Sequence, residues 1–369
     1  MLQPGDMIGI LGGGQLGRMI ALAAANLGLR TRILCPDRES PAFDVCAEHI
    51  CAAYDDEAAL ARFADGIAVA TYEFENVPLA TAEFLARHVR LAPGARALAI
   101  TQDRLAEKSF VRDLGIGTAP FAAVDDLPGL EAAVVTIGLP AVLKTRRFGY
   151  DGKGQVTLRP GDDLATAWQE IGCVPAILEG FVPFEREVSV VAARRSDDAF
   201  AAYELTQNVH RNHILHVSSV PAQVTPGTRA QARTIACTLS RALDYVGVLA
   251  VELFVVGLGS DERLLVNELA PRVHNSGHWT QDGAVTSQFE QHVRAIAGWP
   301  LGETARLGRV EMTNLIGTDV KEWQHLLAES NAHLHLYGKH DAREGRKMGH
   351  VNRLWPDTDA LPGRDTEGC

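Results

Sequence analysis

The chain has 369 residues, 46% hydrophobic and 22% charged, with a formal net charge of −11. That size accommodates two or three domains with ordinary hydrophobic cores. The acidic balance argues against a general affinity for nucleic acid or acidic membranes, although a local basic patch for a small anion stays open.

In chain order, residues 7–12 read as a short apolar strand and 15–28 as a helix rich in Ala and Leu. Between them Gly12-Gly13-Gly14-Gln15-Leu16-Gly17 has G-x-G-x-x-G spacing, and Asp37 follows the apolar run Ile33-Leu34-Cys35. On paper this is a dinucleotide fingerprint, yet a single phosphate at a helix N-terminus asks for the same tight glycine turn. Residues 31–35 and 67–72 are strand-like, the second running into Glu73-Phe74-Glu75, while 56–64 and 78–87 are helical. The alternation predicts a parallel, doubly wound sheet over about the first 100 residues.

Residues 102–114 form a charged amphipathic helix stopped at Gly115-Ile116-Gly117. From 119 the rhythm changes. Strands are expected at 141–144, 155–158, 175–180, 186–194, 199–206 and 214–219, and helices at 162–170 and 227–243. The runs 248–256 and 263–269 flank a turn cluster at 257–262. A helix at 286–297 and a short α/β tail from about 307 complete the order: a small parallel domain, then a larger α+β body.

The six cysteines, at 35, 46, 51, 173, 237 and 369, are scattered and form no C-x-x-C pair, which fits idle thiols in a reducing compartment. No leader pattern opens the chain, and no uncharged apolar run approaches the ~20 residues that span a bilayer, so a cytoplasmic location is expected.

Two stretches carry chemistry. Phe148-Gly149-Tyr150-Asp151-Gly152-Lys153-Gly154-Gln155 lies between two strands, with Lys144, Arg146 and Arg147 at its mouth. Such a hairpin either bends over a phosphate and offers its amides and the Lys153 ammonium, or is plain turn chemistry. No G-K-[ST] follows, so it is not a Walker A loop. Further on, Glu252 and Glu268 each interrupt an apolar strand. If the turn centres near Ser260, the two face each other, and bare carboxylates so placed repel. Either a hard divalent cation such as Mg²⁺ removes the problem, or an arginine such as Arg272 pairs with one of them. Immediately after come Arg272, His274, Asn275, Ser276 and His278, which read as an anion site. The two histidines lack the partners of a zinc site.

Glycine hairpin, strand lysine and two glutamates on a later hairpin resemble the order of parts in the ATP-grasp ligases. The stretches FGYDGKGQ and NELAPRVHNSGHWTQ, with GGGQLGRM, TYEFENV and GRKMGHVN, are similar to the 5-(carboxyamino)imidazole ribonucleotide synthase family over nearly the whole chain. The resemblance implies an ATP-grasp fold with an N-terminal Rossmann-like (pre-ATP-grasp) parallel-sheet domain and a small C-terminal α/β segment. The expected division is 1–100 for the N-terminal substrate-phosphate domain and 101–185 for the lid. The catalytic subdomain is then 186–306 and the substrate-binding segment 307–369.

It also implies an activity: ATP- and bicarbonate-dependent carboxylation of the exocyclic amine of 5-aminoimidazole ribonucleotide through carboxyphosphate, in purine biosynthesis, by a homodimer. The implied ATP pocket is Arg104, Lys144, Gly149, Tyr150, Asp151, Gly152, Lys153, Gly154, Gln155, Glu179, Gly180, Phe181, Val182, Glu187, His210, Asn267 and Glu268. Within it, Glu179 and its neighbours supply strand-edge backbone groups to adenine. Glu252 and Glu268 carry Mg²⁺. Gly14, Gln15, Leu16, Glu73, Tyr150, Asp151, Lys339, Arg346 and Lys347 hold the ribonucleotide, so the first loop holds substrate phosphate or ribose rather than NAD. Arg272, His274, Asn275 and Ser276 position bicarbonate. Asp151 and Glu73 orient the amine, and His274 or released phosphate takes its proton. Other ATP-grasp enzymes, such as a formate-dependent ribonucleotide transformylase or a biotin carboxylase, should share the ATP half but lack HNSGHW and GRKMGH. An NAD oxidoreductase should bind NAD through 12–17 and show no ATPase.

Overall fold

The structure, a computed structural model, describes residues 1–149 and 152–356. Its first layer is built from β1 (Met7–Leu11), α1 (Gln15–Asn26), β2 (Arg30–Cys35), β3 (Glu48–Cys51), α2 (Glu57–Ala64), β4 (Val69–Tyr72), α3 (Leu79–His88) and α4 (Ala95–Thr101). The strands are all parallel, in the order β3-β2-β1-β4. β1 and β4 are buried along their whole length, which is why they read as unbroken apolar runs. The sequence reading has no counterpart of β3. Its alternate residues face outward at the sheet edge, and only its pairing with β2 makes it a strand.

The second layer comprises α5 (Arg104–Asp113), β5 (Phe121–Val124), α6 (Leu127–Ile137), β6 (Ala141–Thr145), β7 (Gln155–Leu158), α7 (Leu164–Glu170) and β8 (Ala176–Gly180). Its strands are antiparallel, ordered β5-β8-β6-β7. Aspartates start the helices: Asp103 accepts from the amides of Leu105 and Ala106, Asp126 from Gly129, and Asp163 from Ala165 and Thr166.

The third layer holds β9 (Arg186–Arg194), β10 (Phe200–Ala202), β11 (Thr206–Arg211), β12 (Ile214–Val220), α8 (Pro226–Ala242), β13 (Gly247–Val256), β14 (Arg263–Ala270), α9 (Thr280–Gly283), α10 (Gln288–Ala297), β15 (Gly308–Ile316), α11 (Trp323–Leu327), β16 (Ala332–Leu336) and β17 (Lys347–Pro356). Its nine strands run β14-β13-β9-β11-β12-β15-β17-β16, with β10 on β9. The strand expected at 199–206 is in fact two. β10 and β11 pair with different parts of β9, and β11 returns as β12 through Asn212 and His213, both at positive φ. No glycine announces that turn, so the sequence hides it. The C-terminal strands β15 to β17 continue the same sheet through β12.

Alternation along β9 and β13 sets the two faces of this sheet. Val188, Val190, Val251 and Leu253 pack toward α8 and α5. Val191, Ala193 and Ala250 pack in one cluster with α10, α1 and the first sheet. Ser189 and Glu252 share that second face, so the polar residues of the site look toward the first layer. Among the described residues no helix is long and apolar enough to cross a membrane. Cys35, Cys46, Cys51, Cys173 and Cys237 are free thiols, and Cys369 lies outside the described residues.

Candidate active site

Glu252 on β13 stands directly opposite Glu268 on β14. A bulge follows: Leu253 pairs with Val266, so Asn267 is the extra residue. In a regular strand Asn267 and Glu268 would point to opposite faces. A bulge relaxes that alternation and re-aims side chains. The Asn267 Oδ1 is buried and takes no hydrogen bond among the described residues. Two carboxylates and an orphaned amide oxygen are hard donors suited to Mg²⁺. Arg272 does not neutralise the pair. Instead Arg104 Nη1 lies 3.1 Å from Glu268, and His274 Nε2 lies 3.1 Å from Glu252. Burial and the facing Glu268 push the Glu252 carboxyl up to about 8. The same two causes lift the buried Glu107 to about 8, and Glu107 also accepts the Leu269 amide at 2.7 Å.

Lys144 projects from β6 and meets Glu179 on β8 at 3.2 Å. The fully buried Lys108 of α5 meets the same Glu179 oxygen at 3.3 Å and donates to the Val266 carbonyl at 3.1 Å. Lys108 and Glu107 escape the sequence reading, because charges on an amphipathic helix are normally solvated and nothing local marks these two. Glu179 is also a correction. β8 is an interior strand, paired with β5 and β6, so the Glu179 backbone lies within the sheet rather than on an edge. The amides of Gly180 and Phe181 donate to Pro120 and Pro140. What Glu179 presents is its side chain, holding Lys144. Burial opposes the charge on Glu179, but Lys108 and Lys144 prevail and hold its carboxyl down at about 2.

A carboxyl depressed in the folded state contributes stability above its unfolded value, and that contribution is lost as pH falls through the folded value. For Glu179 this is about 3 kcal/mol, present above roughly pH 4.5 and lost toward pH 2. Lys108→Met is expected to flatten the acid limb of a stability–pH curve measured by urea unfolding.

Glu187 and His210 pair at 2.5 Å. The hairpin between β6 and β7 reaches the β11–β12 turn: a Cβ at Gly152 would lie 2.6 Å from the His213 ring. Gly149 accepts from Arg104 at 3.4 Å, and Lys153 and Gly154 are exposed. Tyr150 and Asp151 lie outside the described residues.

The segment after β14 folds back over the carboxylates. His274 sits between Glu252 and Ser276, whose Oγ is 2.8 Å from Nδ1. Asn275 is buried, and both its side-chain polar atoms lack partners among the described residues, which marks a place for a polar ligand. Arg272 makes a two-pronged contact with Glu75, Nη2 to Oε1 at 3.0 Å and Nε to Oε2. Despite burial, Arg272 draws the Glu75 carboxyl down to about 2. His278 departs from the expected anion site. It is 1% exposed and packs in the core among Phe289, Tyr337 and His350.

The first glycine loop holds a carboxylate of its own chain. Glu73 accepts from the Gly17 amide at 2.6 Å and from the Gly14 amide. A Cβ at Gly14 would lie 2.7 Å from Glu73 Oε1, so a larger residue there would push the Glu73 carboxylate off the loop amides. The Leu16 side chain is part of the core behind the loop. Gln15 is half-buried at the start of α1. Asp37 is a turn residue accepting from the Glu39 amide. Lys339 donates to the Lys347 carbonyl at 2.8 Å, and Arg346 to the Asp341 carbonyl at 3.1 Å. Burial and Arg346 bring the Lys339 ammonium down to about 8, against the pull of Glu73. Arg343 is exposed and paired with Asp341. Glu73→Ala is expected to strand two loop amides and cost about 1–3 kcal/mol in urea unfolding. Wild-type protein is expected to show no heat of NAD binding in calorimetry.

A strand lysine at a glycine hairpin, with Arg104 joining that hairpin to a paired-carboxylate hairpin, defines an ATP-grasp ligase, and the comparisons agree. An ATP-grasp domain profile matches residues 109–289, a ribonucleotide synthetase preATP-grasp domain profile 6–102, and a phosphoribosylaminoimidazole carboxylase C-terminal domain profile 311–363. The chain belongs to the N5-carboxyaminoimidazole ribonucleotide synthase family. The Brucella melitensis member is 53% identical, covering 97% of this chain and 98% of its own. The Staphylococcus aureus synthetase solved with ADP superposes at a TM-score of 0.91 with 35% identity, covering 97% and 95% of the two chains. The Aspergillus clavatus synthase, solved with ADP and 5-aminoimidazole ribonucleotide, superposes at 0.89 with 28% identity over 96% and 95%.

Proposed function

We propose that this chain joins bicarbonate to the exocyclic amine of 5-aminoimidazole ribonucleotide at the expense of ATP, giving 5-(carboxyamino)imidazole ribonucleotide, ADP and phosphate. The observation that carries this reading is the Glu252–Glu268 pair, held beside Arg104 and beneath His274 and the ligand-hungry Asn275. The whole-chain likeness to the synthase family supports the substrate.

In the first step a bicarbonate oxygen attacks the γ-phosphorus and the bond to the β-phosphate oxygen breaks, giving carboxyphosphate and ADP. Lys144, oriented by Glu179, and Arg104 offset the charge spreading over the transferring group. Glu252, Glu268 and Asn267 are the residues that would hold Mg²⁺, which when bound supplies further charge neutralisation to the phosphates. Glu187 and His210 suit the nucleotide ribose, and Phe181–Val182 the base. Arg272, fixed by Glu75, and Asn275 orient bicarbonate, while the fully buried Ser276 serves them only by holding His274. The amine nitrogen then attacks the carboxyl carbon, the carbon–oxygen bond to phosphate breaks, and the amine proton passes to the departing phosphate or a nearby base. Glu73, Gln15, Lys339, Arg346 and Lys347 seat the ribonucleotide, with Tyr150 and Asp151 contributed by the hairpin. Closure of that hairpin keeps water from carboxyphosphate. The chain works as a cytoplasmic homodimer, with divisions at 1–100, 101–185, 186–306 and 307–369.

The test is ADP release with bicarbonate and aminoimidazole ribonucleotide added separately and together. Release is expected to need both. ADP production indifferent to the ribonucleotide would overturn the substrate assignment.

A further inference from the structure

A row of buried polar side chains crosses the sheet from the carboxylates to its far strands. Glu252 faces Ser189 across β13 and β9, and Asn208 faces Ser218 across β11 and β12. Ser189 and Ser218 are fully buried and Asn208 is 6% exposed. They form one chain of hydrogen bonds: Ser218 Oγ to Asn208 Oδ1 at 2.8 Å, Asn208 Nδ2 to Ser189 Oγ at 3.0 Å, and Ser189 Oγ to Ser276 Oγ at 2.7 Å. Ser276 Oγ then meets His274 Nδ1 at 2.8 Å.

The direction of this chain is fixed at one end. The Ser276 backbone amide points at His274 Nδ1 from 3.3 Å, and an amide N–H can only donate. Nδ1 is therefore an acceptor and carries no proton. Ser276 Oγ, meeting the same nitrogen, gives its own proton there and must accept from Ser189. Ser189 in turn accepts from the Asn208 amide, and the Asn208 carbonyl accepts from Ser218. Each partner has one consistent role from Ser218 to the imidazole.

We infer that Ser189, Asn208 and Ser218 are positioning residues, which through the Ser276 hydroxyl hold the His274 ring in place, the Ser276 amide setting it as the Nε2–H tautomer with that proton directed at Glu252. The inference builds on the proposed synthase chemistry and sharpens it. With its only bare nitrogen turned away from the carboxylates and filled by two donors, His274 is a donor that steadies Glu252. It is not the base that takes the amine proton. That proton goes to phosphate or to another group.

The first readout needs no turnover. In ¹⁵N-labelled, ligand-free protein, long-range proton–nitrogen correlation of the histidine rings, with His274 assigned by its loss in His274→Gln, is expected to show a protonated Nε2 and a bare Nδ1. A protonated Nδ1 would overturn the assignment even if the enzyme proves to be the proposed synthase. The same spectrum of Ser189→Ala is expected to show displaced His274 ring signals with the tautomer kept, because the Ser276 amide still faces Nδ1. Its kcat is expected to fall about 10- to 100-fold, as when an outer hydrogen-bond partner of a ligand is lost, with the KM for the ribonucleotide unchanged. Unaltered ring signals together with unaltered kcat would overturn the relay. If Ser189→Ala does not fold, Ser218→Ala at the outer end reads the same signals and is judged the same way. An intact wild-type tautomer with no ribonucleotide-dependent ADP release would count against the synthase reading alone.

Discussion

Glu268→Gln is expected to reduce ribonucleotide-dependent ADP release by roughly 10³-fold while leaving the fold in place. The side chain keeps its shape and loses its charge. Glu252 then no longer faces a second carboxylate, so the repulsion that helps lift it to about 8 disappears. The lost contact to Arg104 is partly solvated, Glu268 being 39% exposed, and costs little. The melting temperature should therefore stay within a few degrees of wild type. What vanishes is one of the three oxygen donors proposed to hold a cation beside the phosphates. Calorimetric titration with Mg²⁺ and ADP should show weakened binding in parallel. Near-normal turnover in this variant would rule out the metal assignment.

Arg272→Ala is expected to damage both stability and bicarbonate use. The guanidinium fork on Glu75 is the reason that carboxyl sits near 2. Removing it leaves a partly buried carboxylate without its partner, at a cost of about 2–3 kcal/mol after allowing for the one-third of Glu75 that is exposed. Turnover should fall about 10²-fold. Arg272→Lys keeps the charge but cannot reproduce two parallel contacts, so it should recover part of the stability and little of the activity. Measured separately, the KM for bicarbonate should rise in the lysine variant while that for the ribonucleotide holds. A rise confined to the ribonucleotide would move Arg272 to the other substrate.

The contrast between these two sites explains how much of the molecule can be read along the chain. Glu252 and Glu268 are legible because each breaks an apolar strand, and the turn near Ser260 brings the strands into a register that follows from local chemistry. The glycine hairpin is legible for the same reason. Arg272 and Glu75 both lie in motifs that stand out, yet their pairing spans 197 positions and depends on how the first layer docks on the third.

Sequence alone determined the alternating parallel domain, the two glycine loops, the strand glutamates and the family. Periodicity, turn residues and charge within an apolar run act between near neighbours, so they leave a local trace. Only the tertiary structure decided that the G-x-G-x-x-G loop closes on Glu73, that Lys108 braces Glu179 and that Ser189 and Asn208 reach His274. A buried polar group must find a partner somewhere, and which one it finds is set by packing between elements far apart in the chain.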